Sequence, residues 1–161
     1  MFEIRKASKA DEPRIWEIIK SVIASGDTYI FAPDSSEEKM LAFWCGADKK
    51  TFVALLEKKI VGTFFLKDNQ PDLGSHIANA GYMVAPEARG KRIGRTMAEF
   101  LIEEARRLGY KAMQFNFVVK SNEAAVKLWL DSGFKVIGEI PEAFNHLENG
   151  LTNAYIMHRK I

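Results

Sequence analysis

The part of this sequence best suited to bind a ligand is a short basic stretch that contains two glycines. Its residues are Arg89, Gly90, Lys91, Arg92, Ile93, Gly94 and Arg95. It lies between a predicted strand and an amphipathic helix, where unpaired backbone N–H groups converge as a phosphate requires. The four basic side chains would add charge-assisted hydrogen bonds. The stretch predicts a pyrophosphate site, and the alternative is a helix start with a solvated basic face.

The glycine spacing excludes two common phosphate loops. Three residues separate Gly90 from Gly94 and no third glycine follows, so the dinucleotide pattern G-x-G-x-x-G is absent. The nucleoside-triphosphatase pattern needs four residues between its glycines and then Lys-Ser or Lys-Thr. This chain instead has Arg95-Thr96 after the second glycine.

Two predicted strands carry polar residues that could act on a substrate. The strand His76 to Val84 contains Asn79, Gly81 and Tyr82, and the next strand along the chain contains Asn116 among apolar residues. Because a glycine inside a strand often marks a β-bulge, we expect one at Gly81, which would bring Asn79 and Tyr82 to the same face. The alternative is a strand end with a glycine that has no special role. A buried asparagine needs hydrogen-bond partners, and pairing of Asn116 with backbone is the plain alternative to a functional role.

The rest of the chain supplies the elements that hold these residues. Apolar residues recur at helical spacing, and runs of β-branched and aromatic residues predict strands. The predicted order is β-α-α-β-β-β-α-β-α-β-β, an α/β layer fold with mixed strand directions. The predicted strands are Phe2–Lys6, Thr51–Glu57, Lys59–Lys67, His76–Val84, Ala112–Val119, Phe134–Ile140 and Ala154–Arg159. The predicted helices include Ser35–Gly46, Ile93–Leu108 and Asn122–Ser132, after a first helix that contains Ile15 to Ile23.

Composition restricts the class of protein. A chain of 161 residues with 47% apolar residues predicts one globular domain, 1–161. A net charge of +2 disfavours a nucleic-acid partner, and no stretch approaches the ~18 apolar residues of a membrane span. The single cysteine, Cys45, excludes an internal disulfide and a cysteine zinc site, and we predict no metal. With no signal-like segment in Met1 to Ala7, we expect a cytoplasmic protein, and exposed aromatic residues would support a homodimer.

Two sequence blocks resemble the GNAT superfamily of acyl-CoA-dependent N-acetyltransferases. The spacing R-x-x-x-x-G/A from Arg89 to Gly94 is similar to the pyrophosphate loop of that superfamily. The second block has Asn122 opening a helix, Trp129 within the helix, and Gly133-Phe134 entering the next strand. The order of elements also resembles that of the family, so the resemblance covers essentially the whole chain.

The resemblance implies a fold and a co-substrate. The fold is a mixed, mostly antiparallel central sheet that splays between two parallel strands and is flanked by four helices, the acyl-CoA N-acyltransferase fold. Acetyl-CoA would insert into the splayed region, with pantetheine amides paired to the backbone around Met83 and Val84. Pyrophosphate would meet the N–H groups of Gly90 to Arg95, and Asn122 would bind the pantetheine arm.

A narrower resemblance concerns the acceptor. Several short strings are similar to the branch that contains the yeast proline-analogue (azetidine-2-carboxylate) acetyltransferase and its bacterial relatives. In that branch the asparagines that match Asn79 and Asn116 hold the acceptor and the transition state. Gly26 to Pro33, with the rings of Tyr29 and Phe31, would form the wall of the acceptor site. The implied substrate is a small-molecule amine, such as an amino acid or its analogue.

Two departures from the family pattern affect the mechanism. Many members carry a tyrosine at the position of Trp129 that protonates the departing thiolate, and an indole N–H is not a practical acid. Water or Tyr82 is then left to supply this proton. No Asp or Glu lies in the two strands beside the expected cleft, which leaves an ordered water or His76 to deprotonate the amine. Arg92 stands where glycine is common.

Two alternative functions stay open at this stage. A protein Nα- or Nε-acetyltransferase would need an open groove and acidic residues for a basic tail, and Asp27 and Asp34 are few for that purpose. A catalytically silent acyl-CoA-binding module is the other alternative.

Overall fold

Seven strands and four helices follow one another in the predicted order in the computed structural model, which describes residues 1–161. The strands are β1 (Phe2–Lys6), β2 (Lys50–Leu56), β3 (Lys59–Asp68), β4 (Ile77–Val84), β5 (Ala112–Val119), β6 (Lys135–His146) and β7 (Gly150–Lys160). The helices are α1 (Glu12–Ala24), α2 (Glu37–Trp44), α3 (Ile93–Arg107) and α4 (Glu123–Asp131). None of the four helices has the length and apolar character needed to cross a membrane.

Local sequence signals set the helix starts. Pro13 lies in the first turn of α1, where its missing N–H costs nothing. The Ser36 side chain caps α2 by accepting the N–H of Lys39 at 3.1 Å. The Asn122 side chain caps α4 in the same way by accepting the N–H of Ala125 at 3.3 Å.

The sheet has the order β1-β2-β3-β4-β5-β7-β6 and is antiparallel except between β4 and β5. The parallel pairing of β4 with β5 consists of Ile77 opposite Ala112 and Ala78 opposite Met113. Beyond these two pairs the strands separate, and we call the space between them the gap. The structure therefore confirms a mixed, mostly antiparallel sheet that splays between two parallel strands.

Helices cover both faces of the sheet. On one face the Phe65 ring of β3 packs edge-on against Trp44 of α2, with ring centroids 4.9 Å apart. On the other face the Tyr82 ring of β4 packs against Trp129 of α4, with centroids 5.6 Å apart. Because successive side chains of a strand point to opposite faces, the two sides of β4 meet different helix layers.

The predicted β-bulge at Gly81 is wrong. The β3–β4 register runs without a shift from Gly62 opposite Val84 to Asp68 opposite Ala78. Gly81 lies opposite Phe65, whose ring occupies the place where a Cβ at Gly81 would be. The glycine is needed for this cross-strand packing. Because the alternation of β4 is unbroken, Asn79 and Tyr82 lie on opposite faces rather than on the same face.

A bulge occurs instead in β5, beside Asn116. Phe115 pairs with Met157 of β7 and Val118 pairs with Tyr155, so β5 advances three residues while β7 advances two. A bulge bends its strand, and this one lies in the part of β5 that has already left β4.

The final hairpin is longer than predicted. Strand β6 extends past Pro141 to His146, with a register shift between Ile140 and Phe144 where the proline interrupts the pairing. The sequence predicts that this strand ends before Pro141, because proline has no N–H to donate to a neighbouring strand. Since β6 is an edge strand, it can contain the proline and continue.

The close packing of Gly81 against Phe65 can be tested by substitution. We expect Gly81→Ala to lower the free energy of unfolding by about 1–3 kcal/mol, because the added methyl group overlaps the Phe65 ring. Urea denaturation followed by circular dichroism measures the change. Gly138→Ala is the matched control, since its Cβ would lie 3.4 Å from Ile156 Cδ1 and meet ordinary contacts. Equal losses in the two variants would contradict this account.

Candidate functional site

The backbone of β4 presents alternate residues to β3. The Ile77 carbonyl accepts the N–H of Asn69 at 2.8 Å, and the N–H of Ala85 donates to the Val61 carbonyl at 2.8 Å. The odd-numbered residues of β4 therefore direct their backbone groups to β3. Met83 belongs to this set, and its side chain is buried in the core. The predicted pairing of Met83 backbone groups with pantetheine is wrong for this reason.

The even-numbered residues of β4 face the gap. At its closed end the His76 carbonyl, just before the strand, accepts the N–H of Lys111 at 2.9 Å. Farther along, Ala80, Tyr82 and Val84 direct their N–H and C=O groups to the same side. The backbone groups of Val84, the second predicted residue of the pantetheine pair, thus face the gap.

The Tyr29 hydroxyl occupies the middle of this edge. It donates a hydrogen bond to the Tyr82 carbonyl at 2.6 Å and accepts one from the Tyr82 N–H at 2.8 Å. The Tyr29 ring stacks on Phe31 and meets Trp44 edge-on, with centroids 6.5 and 6.2 Å away. Burial raises the pKa of Tyr29 to about 12, so the phenol stays neutral. The predicted wall residues Tyr29 and Phe31 therefore lie together, and Tyr29 reaches the gap itself.

Four side-chain amides gather where the strands separate, and we call them the amide cluster: Asn69, Asn79, Gln114 and Asn116. Asn79 Nδ2 donates to the Gln114 carbonyl at 3.0 Å. Gln114 Nε2 donates to Asn116 Oδ1 at 3.0 Å, and Asn116 Nδ2 donates to Asn69 Oδ1 at 2.7 Å. The structure thus brings the predicted residues Asn79 and Asn116 into one cluster through Gln114.

The amide cluster differs from the sequence expectation in two respects. Asn116 is exposed rather than buried, and its partners are side chains rather than backbone. Gln114 and Asn69 were not predicted. The sequence could have indicated Gln114 as a site residue, because it lies two residues before Asn116 and therefore on the same face of β5. Asn69 lies in a loop, and no sequence pattern connects it with Asn116.

The orientation of the Asn79 amide is fixed by its partner. A backbone carbonyl only accepts hydrogen bonds, so the group that faces the Gln114 carbonyl must be the Asn79 NH₂. Asn79 Oδ1 then has no partner within the protein. It is a free hydrogen-bond acceptor beside the gap, suited to an N–H of a bound ligand.

The Tyr82 side chain lies on the other face, towards α3 and α4. Its hydroxyl approaches the first turn of α3 so closely that a Cβ at Gly94 would overlap it. Gly94 is therefore needed for packing as well as for any contact with an anion. The Tyr82 hydroxyl has no hydrogen-bond partner in the protein, and burial raises its pKa, so it remains a protonated donor.

The backbone of the basic stretch is shaped for an anion. Gly90 and Arg92 have φ values of +79° and +59°, in the left-handed region, and α3 begins at the following residue, Ile93. No side chain caps this helix, so its first N–H groups lack side-chain partners. The turn and the helix start together offer donors and a partial positive charge to one anion.

The basic side chains of this stretch are exposed. Arg95 forms an ion pair with Glu99 at 3.3 Å, whereas Arg89, Lys91 and Arg92 form none. These three cations are available to a ligand on the same side of the sheet as Tyr82. The four predicted basic residues of the stretch are thus exposed around one turn, whereas the side chain of the predicted residue Ile93 is buried in the core.

Asn122 and His76 have fewer groups available to a ligand than predicted. Asn122 uses its Oδ1 to cap α4, which leaves its Nδ2 free as a donor. His76 lies just before β4 at the closed end of the gap, and its exposed side chain forms no hydrogen bond. The structure does not bring the His76 side chain into the hydrogen-bonded set of Tyr29 or of the amide cluster.

Comparison with known proteins identifies relatives of this chain. The family model described as acetyltransferase (GNAT) family matches residues 16–134. The N-acetyltransferase aca1 of Schizosaccharomyces pombe is 37% identical over 99 residues, which cover 60% of this chain and 47% of aca1. The chain thus spans about half the length of that curated relative.

Solved structures show the same architecture. A GCN5-related N-acetyltransferase from Kribbella flavida superposes with a TM-score of 0.93 at 37% identity, over 99% of this chain and 98% of the other. The putative acetyltransferase yncA from Salmonella typhimurium, solved with its cofactor acetyl-CoA, gives a TM-score of 0.86 at 23% identity, over 99% and 94% of the two chains. By its family match, this chain belongs to the acetyltransferase (GNAT) family.

Proposed function

We propose that this protein transfers the acetyl group of acetyl-CoA to the amine of a small molecule, such as an amino acid or its analogue. The observation that carries the proposal is the arrangement along β4. A loop suited to pyrophosphate lies beyond its open end, and a cluster of neutral amides lies where it parts from β5. Two ligands can therefore meet in one gap, where proximity supplies much of the rate acceleration.

Acetyl-CoA is bound mainly by backbone groups of the protein rather than by side chains. The N–H groups at the start of α3 and at Gly90 bind the pyrophosphate, assisted by Arg89. Val84 offers its free N–H and C=O to an amide of the pantetheine arm, in the manner of an added strand. Asn122 Nδ2 is a further donor for that arm.

The acceptor side suits a small molecule whose reacting amine is unprotonated. Asn79 Oδ1 accepts an N–H of the amine, which directs the nitrogen lone pair towards the thioester carbon. Neither β4 nor β5 contains Asp or Glu, so the attacking amine loses its proton to water. A basic protein tail would gain little from such uncharged partners. As the C–S bond breaks, water protonates the thiolate, because buried Trp129 cannot and the Tyr82 hydroxyl lies at the first turn of α3, on the pyrophosphate side.

The proposed reaction is tested by measuring thiol release from acetyl-CoA with a panel of acceptors. We expect azetidine-2-carboxylate, proline or another small amino acid to stimulate release, and mass spectrometry to detect the N-acetyl product. Peptides with free N-termini or internal lysines serve as the comparison and are expected to be poorer acceptors. The proposal is wrong if acetyl-CoA binds but no small amine stimulates release, and preferential acetylation of the peptides would identify a protein acetyltransferase.

The basic stretch predicts salt-dependent binding of CoA. We expect Arg89→Ala to raise the Kd for CoA by about fivefold to tenfold, because an exposed charge-assisted contact with phosphate is lost. The variant should also show a weaker dependence of Kd on NaCl, since fewer charges are screened. Lys20→Ala, which removes an exposed charge from α1, is the control. Isothermal titration calorimetry measures each Kd, and equal values for the two variants would place the pyrophosphate elsewhere.

The two predicted asparagines should give different phenotypes. Asn116→Ala is expected to raise KM for the amine without changing the melting temperature, because Asn116 is exposed. Asn79→Ala should also lower the free energy of unfolding by about 1 kcal/mol, since the Gln114 carbonyl loses its partner. Asn149→Ala in the exposed β6–β7 turn is the control for loss of an amide. An unchanged KM in both cluster variants would contradict the proposed acceptor site.

A further inference from the structure

The Tyr29 hydroxyl fills a position on β4 that a neighbouring strand would otherwise fill. Its oxygen accepts from the Tyr82 N–H and its hydrogen is donated to the Tyr82 carbonyl, as one backbone partner would do. Tyr82 is four residues past Ala78, where the pairing with β5 ends, so the phenol lies well inside the gap. The residue comes from the loop between α1 and α2, 53 positions earlier in the chain.

The proposed acetyl transfer would bring the two substrates together at this position. Val84, whose free backbone groups face the open end, lies two residues beyond Tyr82, and Asn79, with its free Oδ1, lies three residues before it. An amine held at Asn79 and a thioester that arrives along β4 past Val84 approach each other at Tyr82. Because Tyr29 already uses the Tyr82 N–H, that amide cannot also bind the thioester oxygen while Tyr29 stays in place.

We propose that the Tyr29 hydroxyl is a catalytic group that donates a hydrogen bond to the thioester oxygen while the amine attacks. Its oxygen continues to accept the Tyr82 N–H, and its hydrogen rotates from the Tyr82 carbonyl to the substrate. A hydroxyl hydrogen rotates freely, so this change needs no movement of the ring. The inference rests on the proposed acetyl transfer and adds a residue to it.

The surroundings of Tyr29 suit this role. The ring is held by Trp44 and Phe31, so the donor is positioned before the substrate arrives. Burial keeps the phenol protonated, because its pKa of about 12 is far above neutral pH. The Tyr82 N–H polarises the hydroxyl and strengthens the hydrogen bond that it donates.

The chemical step balances without another reactant. The amine nitrogen forms a bond to the thioester carbon, and the carbonyl electron pair moves onto the oxygen that Tyr29 contacts. The pair then returns, the C–S bond breaks, and the sulfur leaves with its electrons. The amine gives its proton to water, and the departing thiolate takes a proton from water, so the two proton transfers cancel. Tyr29 itself keeps its proton throughout.

The test is Tyr29→Phe in the full chain, assayed with acetyl-CoA and the fastest amine of the acceptor panel. Removal of an oxyanion donor is expected to lower kcat by about 100-fold or more. The Kd for acetyl-CoA, measured by calorimetry without amine, should stay within about twofold of wild type, because the binding contacts are elsewhere. The slow hydrolysis of bound acetyl-CoA should fall in parallel with kcat, since the same oxygen carries the charge when water attacks.

Tyr110→Phe is the matched control. It removes the buried phenol hydroxyl that donates to Asp68 Oδ1 at 2.6 Å, outside the gap, and kcat should stay within about twofold of wild type. If Tyr29→Phe binds acetyl-CoA more tightly and turns over as fast as wild type, Tyr29 only plugs the gap and the inference is wrong. Absence of acetyl-CoA binding in the wild type would instead overturn the proposed function.

A second variant keeps the test valid if Tyr29→Phe folds poorly. Incorporation of 3-fluorotyrosine at position 29 preserves the ring and both hydrogen bonds to Tyr82 while making the hydroxyl a stronger donor. We expect kcat to rise with no change in melting temperature. An unchanged kcat with this residue would contradict a role for the hydroxyl in the chemical step.

Discussion

The separation of β4 from β5 is the constraint on which the rest of the site depends. Two parallel strands that part after Ala78 and Met113 leave backbone N–H and C=O groups without their usual partners inside the sheet. Side chains replace part of the missing ladder: the Asn79 amide donates to the Gln114 carbonyl, and the Tyr29 hydroxyl satisfies both groups of Tyr82. Beyond Tyr82, the free backbone groups of Val84 are what a ligand that enters from the open end can use.

Because side chains alternate along β4, the amide cluster and the Tyr82 side chain lie on opposite faces of the sheet. Asn79 and the other amides lie on the face of α1 and α2, whereas the Tyr82 side chain lies on the face of α3 and α4, near the basic stretch. A regular β4 with Gly81 packed under Phe65 maintains this division. A bulge at Gly81 would have placed both functions on one face, and the two proposed ligands would then approach from the same side. The regular strand instead lets them enter from opposite faces.

The sequence predicted what depends on local periodicity. Strands β1 and β5 have the predicted bounds, the four helices occur in order, and the loop before α3 has the expected shape. The failures arise from contacts between distant residues. Whether Gly81 forms a bulge depends on Phe65, in another strand, and the two bonds of Tyr29 to Tyr82 join residues 53 apart. Asn116 was expected to be buried because its neighbours are apolar, yet the gap leaves its own side exposed.

The distribution of charge along the gap explains why a site with few ionisable groups can serve acetyl transfer. Arg89, Lys91 and Arg92 supply positive charge at the α3 end, where a pyrophosphate needs it. The amide cluster at the other end is neutral, and one cation, Lys67, lies opposite Asn79 in β3. Neutral partners do not favour the ammonium form of an amine as carboxylates would, so the unprotonated nucleophile is not disfavoured where it must react. A phenol that burial keeps protonated adds a donor without adding charge. The site therefore depends on placed hydrogen bonds, which the parting of two strands makes available.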